Sequence, residues 1–155
     1  MRWRSCATGG SFCAVAAEPV GEPFRHRLRV RYAETDAQGV VFNAHYLAYF
    51  DTNINELLRA ALGSYQAMLD RGVDIVVAEA QVRFLAPARF EDELTLEIAV
   101  TRLGTTAITT AHRISHDGQL VAEGSLRHVM VDRETMDKTP IPDWLREQLA
   151  PWTVS

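Results

Sequence analysis

Val30-Arg31-Tyr32-Ala33-Glu34-Thr35-Asp36-Ala37-Gln38-Gly39-Val40-Val41-Phe42-Asn43-Ala44-His45-Tyr46 is the stretch on which the fold turns. It opens as a strand and passes through a polar loop holding Glu34, Thr35, Asp36 and Gln38. It then enters a long apolar helix that runs to Leu62. Asn43 is of a type that favours a helix N-cap. Behind it Tyr46, Leu47, Tyr49, Phe50, Ile54, Leu57, Leu58, Ala61 and Leu62 follow the i, i+3, i+4, i+7 spacing of a broad buried stripe. A stripe that wide needs cover on most of the helix circumference.

Outward from this stretch the chain supplies the cover. On its N-terminal side Phe24, His26, Leu28, Val30 and Tyr32 alternate with Arg25, Arg27, Arg29 and Arg31, the period of a strand with one buried face. The arginine row reads as a solvated or partner-facing outer face. Past the helix, Gly63 interrupts it, Ser64 caps a short second helix over Tyr65–Arg71, and Gly72 ends that. Val73, Ile75 and Val77 alternate in one phase, and Ala80, Val82 and Phe84 in the other. A phase change near Ala78 implies a bulge or bend in one long strand, which Pro87 terminates. Strands follow over Leu94–Val100, Thr105–Ser115 and Gln119–Val131, the last two joined at Asp117-Gly118, a two-residue hairpin signal. Asp143–Leu149 reads as a short helix whose Trp144 and Leu145 pack back on the sheet. Connections this short make the strands after the helix antiparallel neighbours. The expected fold class is α+β: a long central helix wrapped by a curved antiparallel five-stranded sheet. Residues 23–155 are expected to form one domain, and residues 1–22 a disordered N-terminal extension.

Composition narrows the function. Apolar residues make up 47% and charged residues 23%, the balance of an ordinary globular chain. The net charge of −4, with both signs interspersed, argues against a nucleic-acid partner. No apolar run is long enough for a membrane span. Cys6 and Cys13 are the only cysteines and lie outside the expected domain, so it has no disulfide framework and no thiolate nucleophile. That usage fits a reducing, cytoplasmic setting. His112 and His116 lie four apart on an expected strand, ~13 Å along it, too far for one metal ion to bridge. No metal is expected, and no cofactor. His26 and His128 read as partly buried strand residues.

Asp36 is the sharpest feature. In isolation it would read as an Asx-turn residue. Its neighbours change that reading. Gly39 permits an unusual backbone turn, and Val40, Val41 and Phe42 supply apolar surface. Asn43, Ala44 and His45 offer the free N–H groups of a helix start, which attract negative charge. Such donors can stabilise the oxygen of a carbonyl under attack, while the carboxylate acts as nucleophile or as a base on water. The residues leave the choice between those two roles open.

The pattern Tyr32-x-x-Thr35-Asp36-x-x-Gly39-Val40-Val41-Phe42-x-x-x-Tyr46-Leu47-x-x-Phe50 resembles the signature of hotdog-fold acyl-CoA thioesterases of the 4-hydroxybenzoyl-CoA thioesterase family. The similarity runs on through Phe84-Leu85-x-Pro87-Ala88-Arg89-Phe90-x-Asp92, Leu103-Gly104-Thr105, Val131-Asp132 and Ile141-Pro142. The resemblance implies Asp36 as the catalytic carboxylate and the Asn43 amide as the group that polarises the thioester carbonyl. It implies coenzyme A as part of the substrate. It also implies a homodimer or homotetramer with the site at the subunit interface. Many relatives carry His where this chain has Asn43 and Asn where it has His45, so His45 is a candidate for part of that histidine's role. Gly39, Val41, Phe42, Tyr46 and Arg89 are expected to bind substrate. Arg83, Arg89 and Arg102 are candidates for the coenzyme A phosphates, and Glu79 and Gln81 for the acyl pocket. Two other functions share the fold. A non-catalytic acyl-thioester-binding protein would bind without turnover. An enoyl-thioester hydratase would show an Asp-x-x-x-x-His dyad, whereas here Val41 stands at that histidine's position.

Overall fold

In the computed structural model, residues 22–154 are described. Of the expected N-terminal extension, residues 1–22, all but Glu22 lie outside them. The elements in chain order are β1 (Phe24–Arg29), α1 (Ala44–Leu62), α2 (Tyr65–Leu69), β2 (Val73–Phe84), β3 (Glu93–Leu103), β4 (Ala107–His116), β5 (Gln119–Asp132) and α3 (Asp143–Leu149). The five strands form one antiparallel sheet in the order β1-β3-β4-β5-β2. This is the α+β architecture the periodicities require. No helix among the described residues is long and apolar enough to cross a membrane.

The helix α1 lies against the sheet and touches β1, β2, β3, α2 and α3. Its buried face carries Tyr46, Tyr49, Phe50, Asn53, Ile54, Leu57 and Leu58. Fully burying one such apolar side chain stabilises the fold by about 1.5–3 kcal/mol. Two apolar clusters divide the length of the helix. The first joins Val30, Val41, Tyr46, Phe50, Leu94, Leu96 and Val121; the second joins Leu57, Met68, Ile98, Met130, Leu145 and Leu149. α3 closes the second cluster, and Trp144 also stacks under the Arg71 guanidinium at 4.4 Å.

Local chemistry sets the boundaries. Gly63 (φ +85) ends α1, and its N–H donates to the Arg59 carbonyl. The Ser64 hydroxyl caps α2 by accepting from the Ala67 N–H. Asp117 and Gly118 both adopt positive φ, the geometry of a type I′ hairpin. The phase change in β2 is a register shift between Val77 and Glu79 in its pairing with β5. Gly124 of β5 has no room for a side chain: a Cβ there would lie 2.1 Å from the Gln81 carbonyl oxygen and 2.7 Å from Phe50 Cε2.

Four expectations need correction, the first being Leu47, expected on the buried stripe of α1 but 42% exposed. β1 stops at Arg29, its last residue paired with β3, and the chain then turns, so Tyr32 sits in a short 3-10 turn (Tyr32–Glu34) at 77% exposure instead of on the buried face. Asn43 precedes α1 as expected, but its own φ/ψ is already helical and its side chain makes no cap hydrogen bond. α2 ends at Leu69, two residues short of the expected Arg71.

Inside the sheet lies a polar seam. Thr110 and His112 of β4 and His128 of β5 are buried, together with Asn53 of α1. His112 stacks on Phe50 with ring centroids 4.4 Å apart, and its Nε2 lies 2.9 Å from the Thr110 hydroxyl. Burial pushes the His112 pKa down to about 3, and the neighbouring His128 acts in the same direction. His128 is lowered by its own burial, against a smaller opposite pull from Asp51. Both rings therefore stay neutral in the folded protein at pH values where an unfolded histidine takes up a proton. Stability from this source is complete above about pH 6.5. It is lost as pH falls through the window toward the depressed folded values. We expect the unfolding free energy of His112→Gln to fall less steeply with acidification than that of the parent. The difference in slope between about pH 6 and pH 5 should approach ~1.4 kcal/mol per pH unit. Urea titrations across that range check it; coincident slopes would mean that His112 is not buried neutral.

Candidate functional site

The polar loop between β1 and α1 is built as a small clamp. Thr35 forms a bridge with Val41, the Asp36 N–H donates to the Val40 carbonyl (2.9 Å), and the Gly39 N–H donates to the Asp36 carbonyl (2.9 Å). Gly39 sits at φ +73, a conformation that costs a residue with a side chain about 1–2 kcal/mol. The clamp is tied to the segment after β2 at two points. The Val41 N–H donates to the Ala88 carbonyl (2.8 Å), and Arg89 Nη1 donates to the Gly39 carbonyl (3.3 Å). Asp92 holds that segment in turn, its carboxylate accepting from the Arg89 N–H at 2.8 Å.

Asp36 is half-buried in this clamp. Its Oδ1 accepts the Gln38 N–H at 2.8 Å. The Asx-turn is thus present, and Oδ2 has no partner among the described residues. Because Thr35 faces Val41, Asp36 lies one residue from that pairing on one side and α1 starts three residues from it on the other. At the helix start the His45 N–H is engaged by the Phe42 carbonyl (2.9 Å) and the Tyr46 N–H by the Asn43 carbonyl (3.3 Å). The amides of Asn43 and Ala44 donate to no backbone carbonyl among the described residues. The donor set is therefore narrower than the three amides expected from sequence: the Asn43 and Ala44 N–H groups remain, and the His45 side chain rests edge-on against Phe42.

The other expected residues divide. Gly39 and Arg89 meet at the loop. Val41 is buried in the core, and Phe42 is 47% exposed. Tyr46 is buried beneath the loop, edge-on to Phe84 (5.2 Å) and Tyr49 (5.9 Å). Burial, ahead of any other effect, raises its pKa. Arg83 instead pairs with Glu123 at 2.8 Å, and Arg102 is exposed on β3. Glu79 and Gln81, expected at an acyl pocket, are exposed on β2: Glu79 pairs with Arg127 (3.1 Å) and accepts from Gln81 Nε2 (3.2 Å). The bulge that reverses the strand's phase turns them to the outside.

Sequence reading gave no role to the pair that braces the loop. Glu34 Oε2 accepts the Arg31 N–H (2.8 Å) and the Tyr49 hydroxyl (2.8 Å). Tyr49 reads as one more apolar position of α1. The signal was its hydroxyl, since a tyrosine on a buried helix face needs a polar partner. Desolvation, then the Glu34 carboxylate, raise the Tyr49 pKa far above its ordinary value, so the phenol remains a donor. Tyr49→Phe keeps the ring and removes the donor. The expected loss is about 1–2 kcal/mol of unfolding free energy, with faster hydrogen exchange at the Arg31 amide. Stability and exchange both matching the parent would show that the bond does not brace the loop.

Comparison with known proteins bears on what this geometry does. A family model described as the thioesterase-like superfamily matches residues 30–149. The acyl-CoA thioester hydrolase YbgC of Escherichia coli O6:H1 is 34% identical over 120 residues, covering 77% of this chain and 90% of the relative. The 1,4-dihydroxy-2-naphthoyl-CoA hydrolase of Synechococcus elongatus is 29% identical over 126 residues, covering 77% and 90%. Among solved structures, a hypothetical protein from Aquifex aeolicus superposes with a TM-score of 0.78 at 29% identity, covering 82% of this chain and 99% of its own. The dynemicin thioesterase superposes at 0.80 with 23% identity, a likeness of fold alone.

Proposed function

Since the chain belongs to the thioesterase-like superfamily and has its hotdog fold, we propose that it hydrolyses coenzyme A thioesters to free acid and coenzyme A, with Asp36 as the catalytic carboxylate. The printed activity of the Escherichia coli relative supports the reaction class. The observation that carries the reading is the clamp: Asp36, one of whose oxygens has no partner among the described residues, adjoins the Thr35–Val41 bridge, and three residues past that bridge α1 starts with two amides that meet no backbone carbonyl among them.

The chemistry follows from those groups. A thioester carbonyl whose oxygen points at the Asn43 and Ala44 N–H groups gains stabilisation as its oxygen becomes negative, the helix dipole adding to it. Asp36 either attacks the carbonyl carbon and expels coenzyme A thiolate, leaving a mixed anhydride that water then hydrolyses to the free acid and the Asp36 carboxylate, or takes a proton from a water that attacks the carbonyl carbon, after which the tetrahedral intermediate expels coenzyme A thiolate. Arg89 stands beside the loop as a phosphate contact for the coenzyme A tail. No metal or redox group enters this scheme. The reaction is assigned to the cytoplasm, the compartment that suits the chain's cysteine usage.

Asp36→Asn preserves shape and the Asx-turn acceptor and removes the charge. Thiol release from a panel of acyl-CoA esters should fall by about 10²–10⁴-fold; release at the parent rate would end the assignment of Asp36. The Asp36–Gln38 bond favours a second reading, in which the loop is only structural and the protein binds acyl thioesters without turnover. The parent protein binding those esters with no thiol released would favour that reading.

The proposal extends to assembly. β2 is a free sheet edge, exposed continuously from Val77 to Gln81, with Phe84 exposed beyond it. Such an edge invites a further strand. Its outer face carries Glu79, Gln81 and Arg83, so antiparallel pairing of two copies about Gln81 sets Glu79 opposite the partner's Arg83. Sedimentation should therefore find at least a dimer. Gln81→Lys, which places like charges together on the axis, should shift it toward monomer; a monomeric parent protein would refute the pairing.

A further inference from the structure

One short turn between β2 and β3, residues 88–92, grips the Asp36 loop at both of its ends. At the loop's start the Val30 N–H donates to the Asp92 carbonyl (2.9 Å), and the Glu91 N–H donates to the Val30 carbonyl (3.2 Å). At its end the Val41 N–H donates to the Ala88 carbonyl (2.8 Å), and Arg89 Nη1 reaches the Gly39 carbonyl (3.3 Å). Val30, Val41 and Ala88 are all buried. The shape of the turn therefore sets how far apart the two ends of the loop stand, and with them where Asp36 lies in between.

That shape is not one the backbone adopts readily. The Asp92 N–H closes the turn by donating to the Arg89 carbonyl (3.1 Å), and Glu91 stands at φ +71. This region favours glycine, and a glutamate stays in it only where its surroundings hold it there. The Glu91 carboxylate meets the exposed Arg29 guanidinium (3.2 Å), a surface ion pair of little weight. The Asp92 carboxylate is better placed. Its Oδ2 accepts the Arg89 N–H at 2.8 Å, so Asp92 and Arg89 are joined by two bonds running in opposite directions across the turn. A backbone N–H on a carboxylate is a charge-assisted bond, stronger than one between neutral groups. Asp92 Oδ1 lies 3.6 Å from His116 Nε2 of β4, beyond hydrogen-bond distance, so Arg89 is the partner that matters.

We propose that Asp92 is a positioning residue for the thioester reaction: by locking the 88–92 turn against the strain at Glu91, its carboxylate fixes the spacing of Val30 and Val41 and so the place of Asp36 relative to the start of α1. The claim rests on the thioesterase reading and adds to it a residue that acts through the turn, not on the substrate. Without the Asp92 side chain the turn can relax, and the loop it holds loses its fixed geometry while the groups that meet the substrate remain.

Thiol release and backbone hydrogen exchange are measured on the parent protein, Asp92→Ala, Asp92→Asn and His116→Gln. Asparagine keeps an oxygen that can accept the Arg89 N–H, and alanine has none. Rates are taken per folded protein, below the unfolding temperature of each variant, so that lost stability alone leaves kcat where it was. In Asp92→Ala, kcat should fall about ten- to a hundredfold with KM little changed, and the Val41 amide should exchange faster than in the parent. Asp92→Asn should restore most of both. His116→Gln removes the ion pair and keeps the turn bond, so it should match the parent. Where the alanine variant does not fold, Asp92→Leu fills the site without an acceptor and takes its place. Parent-like kcat in Asp92→Ala, a loss that Asp92→Asn does not repair, or an equal loss in His116→Gln overturns the proposal. A parent protein that releases no thiol sinks the hydrolase reading by itself. Exchange at Val41 then decides separately: faster exchange confined to Asp92→Ala upholds the hold of Asp92 on the loop, and unchanged exchange overturns it.

Discussion

Burial of α1 is the constraint from which the rest of the molecule follows. A helix of 19 residues with Tyr46, Tyr49, Phe50, Ile54, Leu57 and Leu58 on one face cannot stay in water. The sheet covers most of that face, and α2 and α3 close its C-terminal half. The N-terminal half is closed by Val30, Val41, Ala88 and the β3–β5 side chains. That second closure positions the candidate site. Val41 is in the core, so the loop preceding it must fold back over the helix start, carrying Asp36 with it.

The same burial sets the electrostatics. Amides at the opening turn of α1 are left without carbonyl partners because the clamp uses the loop's carbonyls for its own bonds. A carboxylate held nearby is the natural complement to that turn. Glu34 and Tyr49 brace the loop from beneath, and Arg89 and Ala88 hold it from the side. Three stretches of chain, the turn at Glu34, α1 at Tyr49 and the 88–89 segment, thus converge on a loop of seven residues, a degree of pre-organisation suited to a site that must present a carboxylate at a defined angle.

β2 plays a different part. It is long, bulged and at the edge, and its middle is exposed on both faces. A strand of this kind in an isolated chain is an unfinished surface. The Asp36 loop is tied to one of its ends through Ala88 and Phe84.

Periodicity alone determined the element order, the bulge in β2, the Asp117-Gly118 hairpin and α3, because each is written in spacings of two or 3.6 residues or in turn chemistry. The motif around Asp36 was equally legible, since its residue types are adjacent in the chain. Tertiary structure alone decided the rest. That Tyr32 leaves the strand depends on where β3 stops pairing. That Glu34 meets the Tyr49 hydroxyl depends on how the loop folds back over α1. That His112 and His128 form a buried polar seam beside Asn53 depends on which residues two strands and a helix set side by side. Contacts between segments tens of residues apart follow from register and packing, and no local pattern encodes them.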